Sequence, residues 1–561
     1  MIKKVLSTPY FIPAIVLLIA GVCWLFHFRI DLTSEKRFSI SEPSKQLLSQ
    51  TDEDISVKIY LDGDLNPGFN RLKKATVDML EEMETYAGSD ITLTFDNPSL
   101  AGNNDERNLN YARLEAKGLK PTAVYERDKE GKAIQKVIFP WLEMRYKNRQ
   151  VNVCLLKNVN GKSGDENLNI SIENLEFEIM DGIRRLLTTT VPRVAFIEGH
   201  GELTEAQTYD FSKSLSRYFQ VDRGQISDDA SILSPYKLII VAKPKLPFTE
   251  TEKFILDQYV MNGGKVIWLV DGVTLATENL SETGLTPSME LDVNLSDLLF
   301  RYGVRINPVI LQDVQCVTVP VNIAPQGAEP KFEPSPLLYS PLLLTSQQHP
   351  ITRNVTEVKT EFASGIDLVG KMENLKPTLL LATSNNTHIT ATPATVNIAE
   401  LHSPDDKQYF NASYIPVAVL MEGKFQSGFA NRMLPGVKNL AQVRTESLPT
   451  SQLFVADGDI IRNETNGIAS DSTTLELGYD RFNGVTYGNK EMLVNAVLYM
   501  TDEKGWMQLK NKTLKLRLLN KQLVSENSNV IAIVNVVVPV VILLVFGLVY
   551  GFLRRKKYAG K

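Results

Sequence analysis

A chain of 561 residues has room for roughly two to four domains, and 43% hydrophobic with 22% charged residues is the mix of a globular protein that buries a core. A formal net charge of −5 argues against general nucleic-acid binding. Three cysteines, Cys23, Cys154 and Cys316, form neither a disulfide framework nor a CxxC site, and Cys154 and Cys316 pair only if the fold brings them together.

Residues 1–9 lead into an apolar run, Tyr10–Phe28, interrupted only by His27. It is just long enough to cross a hydrocarbon core of ~30 Å. Ala20-Gly21-Val22-Cys23 approaches a cleavage site, but Val22 is bulky where a small residue is needed and Trp24-Leu25-Phe26 continue the run, so an uncleaved anchor is expected. From residue 31 to 190 the pattern is α/β. Ile55–Leu61 alternates as a strand, Phe69–Ala87 puts Leu72, Thr76, Met79, Leu80, Met83 and Tyr86 on one helical face, and Ile91–Phe95 is a second strand. A crossover of that length makes the two strands parallel neighbours. Lys132–Leu156 reads as a hairpin with its turn at Lys147-Asn148, and Ile172, Leu175, Ile179, Ile183 and Leu186 mark an amphipathic helix. The arrangement predicts a thioredoxin-like domain without thiol redox chemistry.

From 191 to 503 the pattern becomes strand, glycine turn, helix. Val194–Ile197, Tyr236–Val241 and Lys265–Val270 are continuous apolar strands separated by helices around Phe211–Phe219 and Thr249–Met261. Such strands predict a parallel sheet covered on both faces. Further strands are expected at Thr378–Ala382, Ile415–Met421 and Gln452–Ala456, and a closing helix at Asn489–Met500. Seven prolines between 320 and 350 mark an extended insertion outside the core. Residues 504–529 read as a basic juxtamembrane helix. Val530–Leu553 is a second apolar span, and Arg554, Arg555, Lys556 and Lys557 open a basic tail, 554–561, that places this end in the cytoplasm. Two spans then put both ends inside and the body outside. Within the second span, Asn535 and Pro539 each disturb a helix in lipid and are candidates for contact with a partner helix.

Candidate chemistry is sparse. Gly161-Lys162-Ser163 ends like a phosphate-binding loop, but position 156, where that loop needs a glycine, is Leu156. Gly199-His200-Gly201 between a strand and a helix is half of a dinucleotide fingerprint, with Thr204 in place of the third glycine. It reads either as a ligand turn, with Glu202 beside it, or as a tight turn that needs glycine for backbone reasons. Asp271, Asp457 and Asp459 follow apolar strands, where parallel sheets bind ligands and where chains also simply turn. No GxSxG elbow or paired metal-ligand spacing occurs among His27, His200, His349, His388 and His402. The expectation is a non-enzymatic protein with no metal and no cofactor, whose ligand-binding candidates are Gly199, His200, Gly201, Glu202, Asp271 and Asp457. The alternatives are a periplasmic ligand or glycan receptor, or an anchored hydrolase using His200 and Glu202.

Arg29–Ser41 after the first span, Val194–Glu202, Lys265–Gly272, Phe454–Asp459, Val534–Pro539 and the basic Arg554–Lys557 together resemble the gliding-motility GldG family, auxiliary, substrate-binding-like subunits of an ABC transporter. The resemblance runs over essentially the whole chain. It implies a two-pass inner-membrane protein with a periplasmic body, partnered by an ABC permease and a cytoplasmic ATPase. It also implies a link to gliding motility and associated secretion in Bacteroidetes-type bacteria. The 191–503 domain is similar to the glutamine-amidotransferase-like fold seen in intraflagellar-transport proteins. The catalytic cysteine of true amidotransferases is missing, which implies binding or scaffolding.

Overall fold

The computed structural model describes residues 40–511 and 527–558, apart from 101–102, 128–132, 160, 277–278, 281–282, 323, 325–328, 371–372, 431, 433–435, 440–442 and 467–472. Residues 40–511 belong to one compact unit and 527–558 to another. The expected first span, Tyr10–Phe28, lies outside the described residues.

The first part of the body follows from well-marked helix starts. Asn66 accepts the backbone N–H of Phe69 at 2.9 Å and Pro67 opens α1, Pro67–Glu84. Leu72, Leu80 and Met83 on this helix are buried against strands β1, Ile55–Ile59, and β2, Ile91–Phe95. These two strands are parallel neighbours, with Val57 opposite Leu93. Two hairpins follow where one was expected. β3, Thr122–Arg127, pairs β4, Ala133–Ile138, as a separate ribbon, and β5, Trp141–Tyr146, pairs β6, Arg149–Cys154, across the expected Lys147-Asn148 turn. The four-stranded sheet has the order β2-β1-β5-β6, and β5 runs against β1 and β6. Helix α2, Gly164–Leu187, buries Leu175, Ile179 and Ile183 on it. Gly161-Lys162-Ser163 has an ordinary role here: Ser163 and Glu166 form the capping box that starts α2.

The second part is built on one large sheet. Its parallel strands are β7, Arg193–Glu198, β8, Gln220–Gln225, β9, Tyr236–Ala242, β10, Lys265–Leu269, and, much later in the chain, a fifth, Thr450–Val455. The sheet then continues antiparallel. In chain order its remaining strands are β11, Cys316–Asn322, β12, Phe332–Thr345, β13, Leu375–Ala382, and β14, Pro416–Gly423; Thr450–Val455 is β15. Across the sheet the order is β11-β12-β13-β14-β15-β10-β9-β7-β8. The expected all-parallel sheet is therefore corrected to a half-parallel, half-antiparallel one. The strands at 378–382 and 415–421 stand where predicted, but an apolar run encodes a strand's position without its direction. The 320–350 insertion is also corrected, because most of it is strand. Its prolines are tolerated because Pro320, Pro334 and Pro336 lie in the β11–β12 ribbon at the sheet's margin.

Helix α3, Tyr209–Leu215, follows β7, and α4, Glu250–Met261, follows β9. Helix α5, Asn489–Thr501, closes the body. Trp268 of β10 is fully buried, stacks on Phe454, and donates its indole N–H to Gln452 at 2.8 Å. Residues 504–511 belong to the body and do not form the start of a membrane-facing helix. Trp506–Asn511 is a single 3-10 stretch in which Trp506 stacks on Phe177 at 5.1 Å and lies 4.4 Å from the Arg184 guanidinium. Lys510 is 6% exposed and bonds Asn495 at 2.8 Å and Glu491 at 3.5 Å.

The other unit is a helix, Ser528–Tyr558, with Pro539 inside it. Its segment Val530–Lys556, 27 residues that include an 18-residue stretch of mean hydropathy 3.0, is long and apolar enough to cross a membrane and has no buried residues.

Candidate functional site

In the parallel half the order β8-β7-β9-β10-β15 is the doubly wound 2-1-3-4-5 pattern. Sheets of this kind bind ligands at the carboxyl ends of the strands, in the crevice where the winding reverses, here between β7 and β9. The chain fills that crevice with its own loop. Gly199 and Gly201, at φ +119° and +75°, turn the backbone so that His200 faces inward. The His200 carbonyl accepts the N–H groups of Lys245 and Leu246 at 2.7 and 2.9 Å, and Leu203 N–H donates to Ala242.

The His200 ring is buried and stacked on Phe248 with centroids 3.6 Å apart. Its Nδ1 meets Glu202 at 3.1 Å and its Nε2 meets Glu252 at 3.3 Å. Glu252 also accepts the Thr249 N–H in the capping box that starts α4, so the ring ties the turn to a helix start. Burial opposes its charged form, yet the bonds to Glu202 and Glu252 outweigh burial and raise its pKa above 6.5. Both ring nitrogens are thus engaged with carboxylates, and neither faces open space. The structure brings His200 and Glu202 together, but as a buried tie.

Asp271 and Asp457 meet at a second place. Lys243, just beyond β9, sits in the left-handed region at φ +58° and reaches across the strand ends. Its ammonium is 3.1 Å from Asp271 and bonds Asp459 directly. Asp457 is fully buried and accepts the N–H groups of Glu361 at 3.0 Å and Asp459 at 2.7 Å. Arg462 pairs with Glu361 and, at 3.1 Å, with Asp459. Burial lifts the Asp271 carboxyl above its usual range; Lys243 pulls it down and Asp459 adds to the lift. Asp457 is raised further, by burial and by repulsion from Asp459 and Asp271. Burial works against the charge on Lys243 and Arg462, but the surrounding carboxylates more than restore it.

A cleft of about 200 Å³ opens beside these groups, and its lining includes Lys243, Asp271, Asp459 and Arg462 together with the apolar Leu275, Leu291 and Phe362. His200 and Glu202 do not line it, so the six sequence-derived candidates divide between two places. Lys243, Glu361 and Arg462 are additions that sequence reasoning missed. Lys243 carried a weak signal, being a basic residue directly after an apolar strand. Among the described residues no group of three or more histidine, cysteine or carboxylate side chains has the arrangement of a metal site.

A family model described as an ABC-type uncharacterized transport system matches residues 191–496, more than half of the chain. The chain belongs to this family. Its matched segment runs from the start of β7 into α5 and contains every charged residue of the cleft. Membership makes the chain an auxiliary component of ABC-type transport. Ahead of the family segment, a domain of unknown function (DUF7088) matches residues 34–145. An uncharacterized protein of Borreliella burgdorferi is 21% identical over 543 residues, covering 94% of each chain. Among solved structures, the mmIFT52 N-terminal domain is 13% identical at a TM-score of 0.31, covering 55% of this chain and 97% of that one.

Proposed function

We propose that the chain is a non-enzymatic accessory subunit of an ABC transport complex, anchored in the inner membrane by Tyr10–Phe28 and Val530–Leu553 with its body in the periplasm. Its partners are the permease and the cytoplasmic ATPase. The family membership over 191–496 carries this reading. The ionic groups at the strand ends support the absence of catalysis, since Lys243, Asp271, Asp457, Asp459 and Arg462 are bonded to one another or to backbone. The order β2-β1-β5-β6 with β5 reversed supports the thioredoxin-like reading of residues 31–190. The amidotransferase-like reading of 191–503, the GldG assignment, and the link to gliding motility and secretion rest on the sequence resemblance. In the second span Asn535 and Pro539 form the face that docks on the permease.

The test is co-purification in mild detergent after co-expression with a candidate ABC permease and ATPase from the same genome. A stable complex that Asn535→Leu weakens is expected. A complex that survives replacement of the whole Val530–Leu553 span by an unrelated apolar helix removes that span from the contact, and no complex at all overturns the accessory reading. Topology is checked at Phe300, which is 52% exposed. In a background lacking Cys23, Cys154 and Cys316, a cysteine there should react with a reagent confined to the periplasm. The cleft of about 200 Å³ favours one second reading, a receptor for a small ligand at Asp271 and Lys243.

A further inference from the structure

At the opposite, amino end of the parallel strands the fold leaves a larger opening. A pocket of about 610 Å³ lies where β9 and β10 begin, beneath the last turn of α4. Tyr236, Ile255, Tyr259, Leu448 and Pro449 give it apolar walls, and Lys237 and Lys265 stand at its side. Volumes of this order hold small organic molecules.

The polar groups around it are committed, with one exception. Tyr259 donates its hydroxyl to the carbonyl oxygens of Tyr236 and Lys265. Ser231 and Asn439 both bond Asp229, and Asn262 bonds Gln258 and Arg444. The carbonyl end of α4 is closed by the N–H groups of Asn262, Gly263, Gly264 and Leu448, so it needs no lysine as a cap. Lys237 pairs with Glu503 at 2.5 Å. Among the described residues the half-buried Lys265 ammonium has no hydrogen bond and no ion pair. Burial and the neighbouring Lys237 press its pKa down, and the attraction of Glu503, which is shared with Lys237, only partly offsets them.

We propose that this pocket binds a small organic anion, a phosphate or carboxylate head on Lys265 with a short aromatic or aliphatic body between Tyr236, Tyr259 and Leu448. Two ammonium groups face one carboxylate there, and a ligand's anion supplies the missing charge. The apolar walls select against a bare inorganic ion.

The experiment uses the full chain in phosphatidylcholine nanodiscs with phenyl phosphate as the probe, followed by saturation-transfer NMR and calorimetry. Binding is expected, and Lys265→Met should weaken it at least about tenfold, the size of one charge-assisted hydrogen bond. Lys265→Arg should retain it, and thermal melts verify that both variants fold. Benzylamine should not compete. Inorganic phosphate should bind more weakly than phenyl phosphate. The proposal is overturned if phenyl phosphate does not bind, if Lys265→Met binds it as well as the parent, or if benzylamine binds equally. Equal binding of inorganic phosphate would remove the organic body from the proposal.

Discussion

Acidification is expected to weaken the body through His349. Its ring is 9% exposed, lies edge-on to Tyr499 with centroids 4.6 Å apart, and accepts the Ile351 N–H on Nδ1 at 3.3 Å. Burial, reinforced by repulsion from Lys376, pulls its pKa from 6.5 down to about 4. The fold therefore accepts only the neutral ring, whereas the unfolded chain takes up a proton near pH 6.5. The contribution is complete above pH 6.5 and is lost as the pH falls toward about 4. The gap between these values, at ~1.4 kcal/mol per pH unit, sets the full loss at roughly 3.5 kcal/mol. His349→Asn keeps an acceptor for the Ile351 N–H but cannot titrate. Urea unfolding of both proteins, followed by tryptophan fluorescence between about pH 7.5 and about pH 4.5, isolates the effect from all other groups. The parent's advantage over the variant should shrink by roughly 2–3 kcal/mol across that range. A difference that does not change with pH would refute the reasoning.

Two further perturbations test the strand ends and the antiparallel half. Lys243→Met leaves Asp271 and Asp459 without their shared cation and should cost about 3 kcal/mol, read as a lowered thermal midpoint; adding Asp271→Asn should restore part of it. Gly423 ends β14 at φ +135°, and a Cβ there would stand 2.1 Å from the Asn374 carbonyl oxygen. Gly423→Ala should therefore destabilise by about 2 kcal/mol or more in the same melt, and a neutral result would argue against the β13–β14 register.

The parts of the fold that were legible in the sequence are those whose signal is local. Ile55–Ile59 and Ile91–Phe95 alternate or run apolar beside a helix with a clean hydrophobic face, so both their existence and their parallel pairing could be read. β8 could not, because Gln220–Gln225 is an edge strand with only partial burial and a polar sequence. The direction of β13 and β14 depends on which neighbour each strand finds, and no residue pattern within them records it. For the candidate site, Asp271 and Asp457 stood out as acids at strand ends. So did Asp459, but the cation that ties it to Asp271 did not, since Lys243 and Asp459 are separated by 216 positions. The serine of the broken phosphate-loop pattern could have been read correctly, because Ser163 and Glu166 have the spacing of a capping box.

The seating of Trp506–Asn511 bears on how the body would respond to pulling. Any tension arriving along the chain from residue 512 meets Lys510 first, then Trp506. To peel this stretch away, the lysine must leave Asn495 and Glu491 on α5, and the indole must leave Phe177 and Arg184 on α2. The load is thereby divided between a helix of the first part and a helix of the second. A displacement at this C-terminal exit would be transmitted to the two halves of the body together.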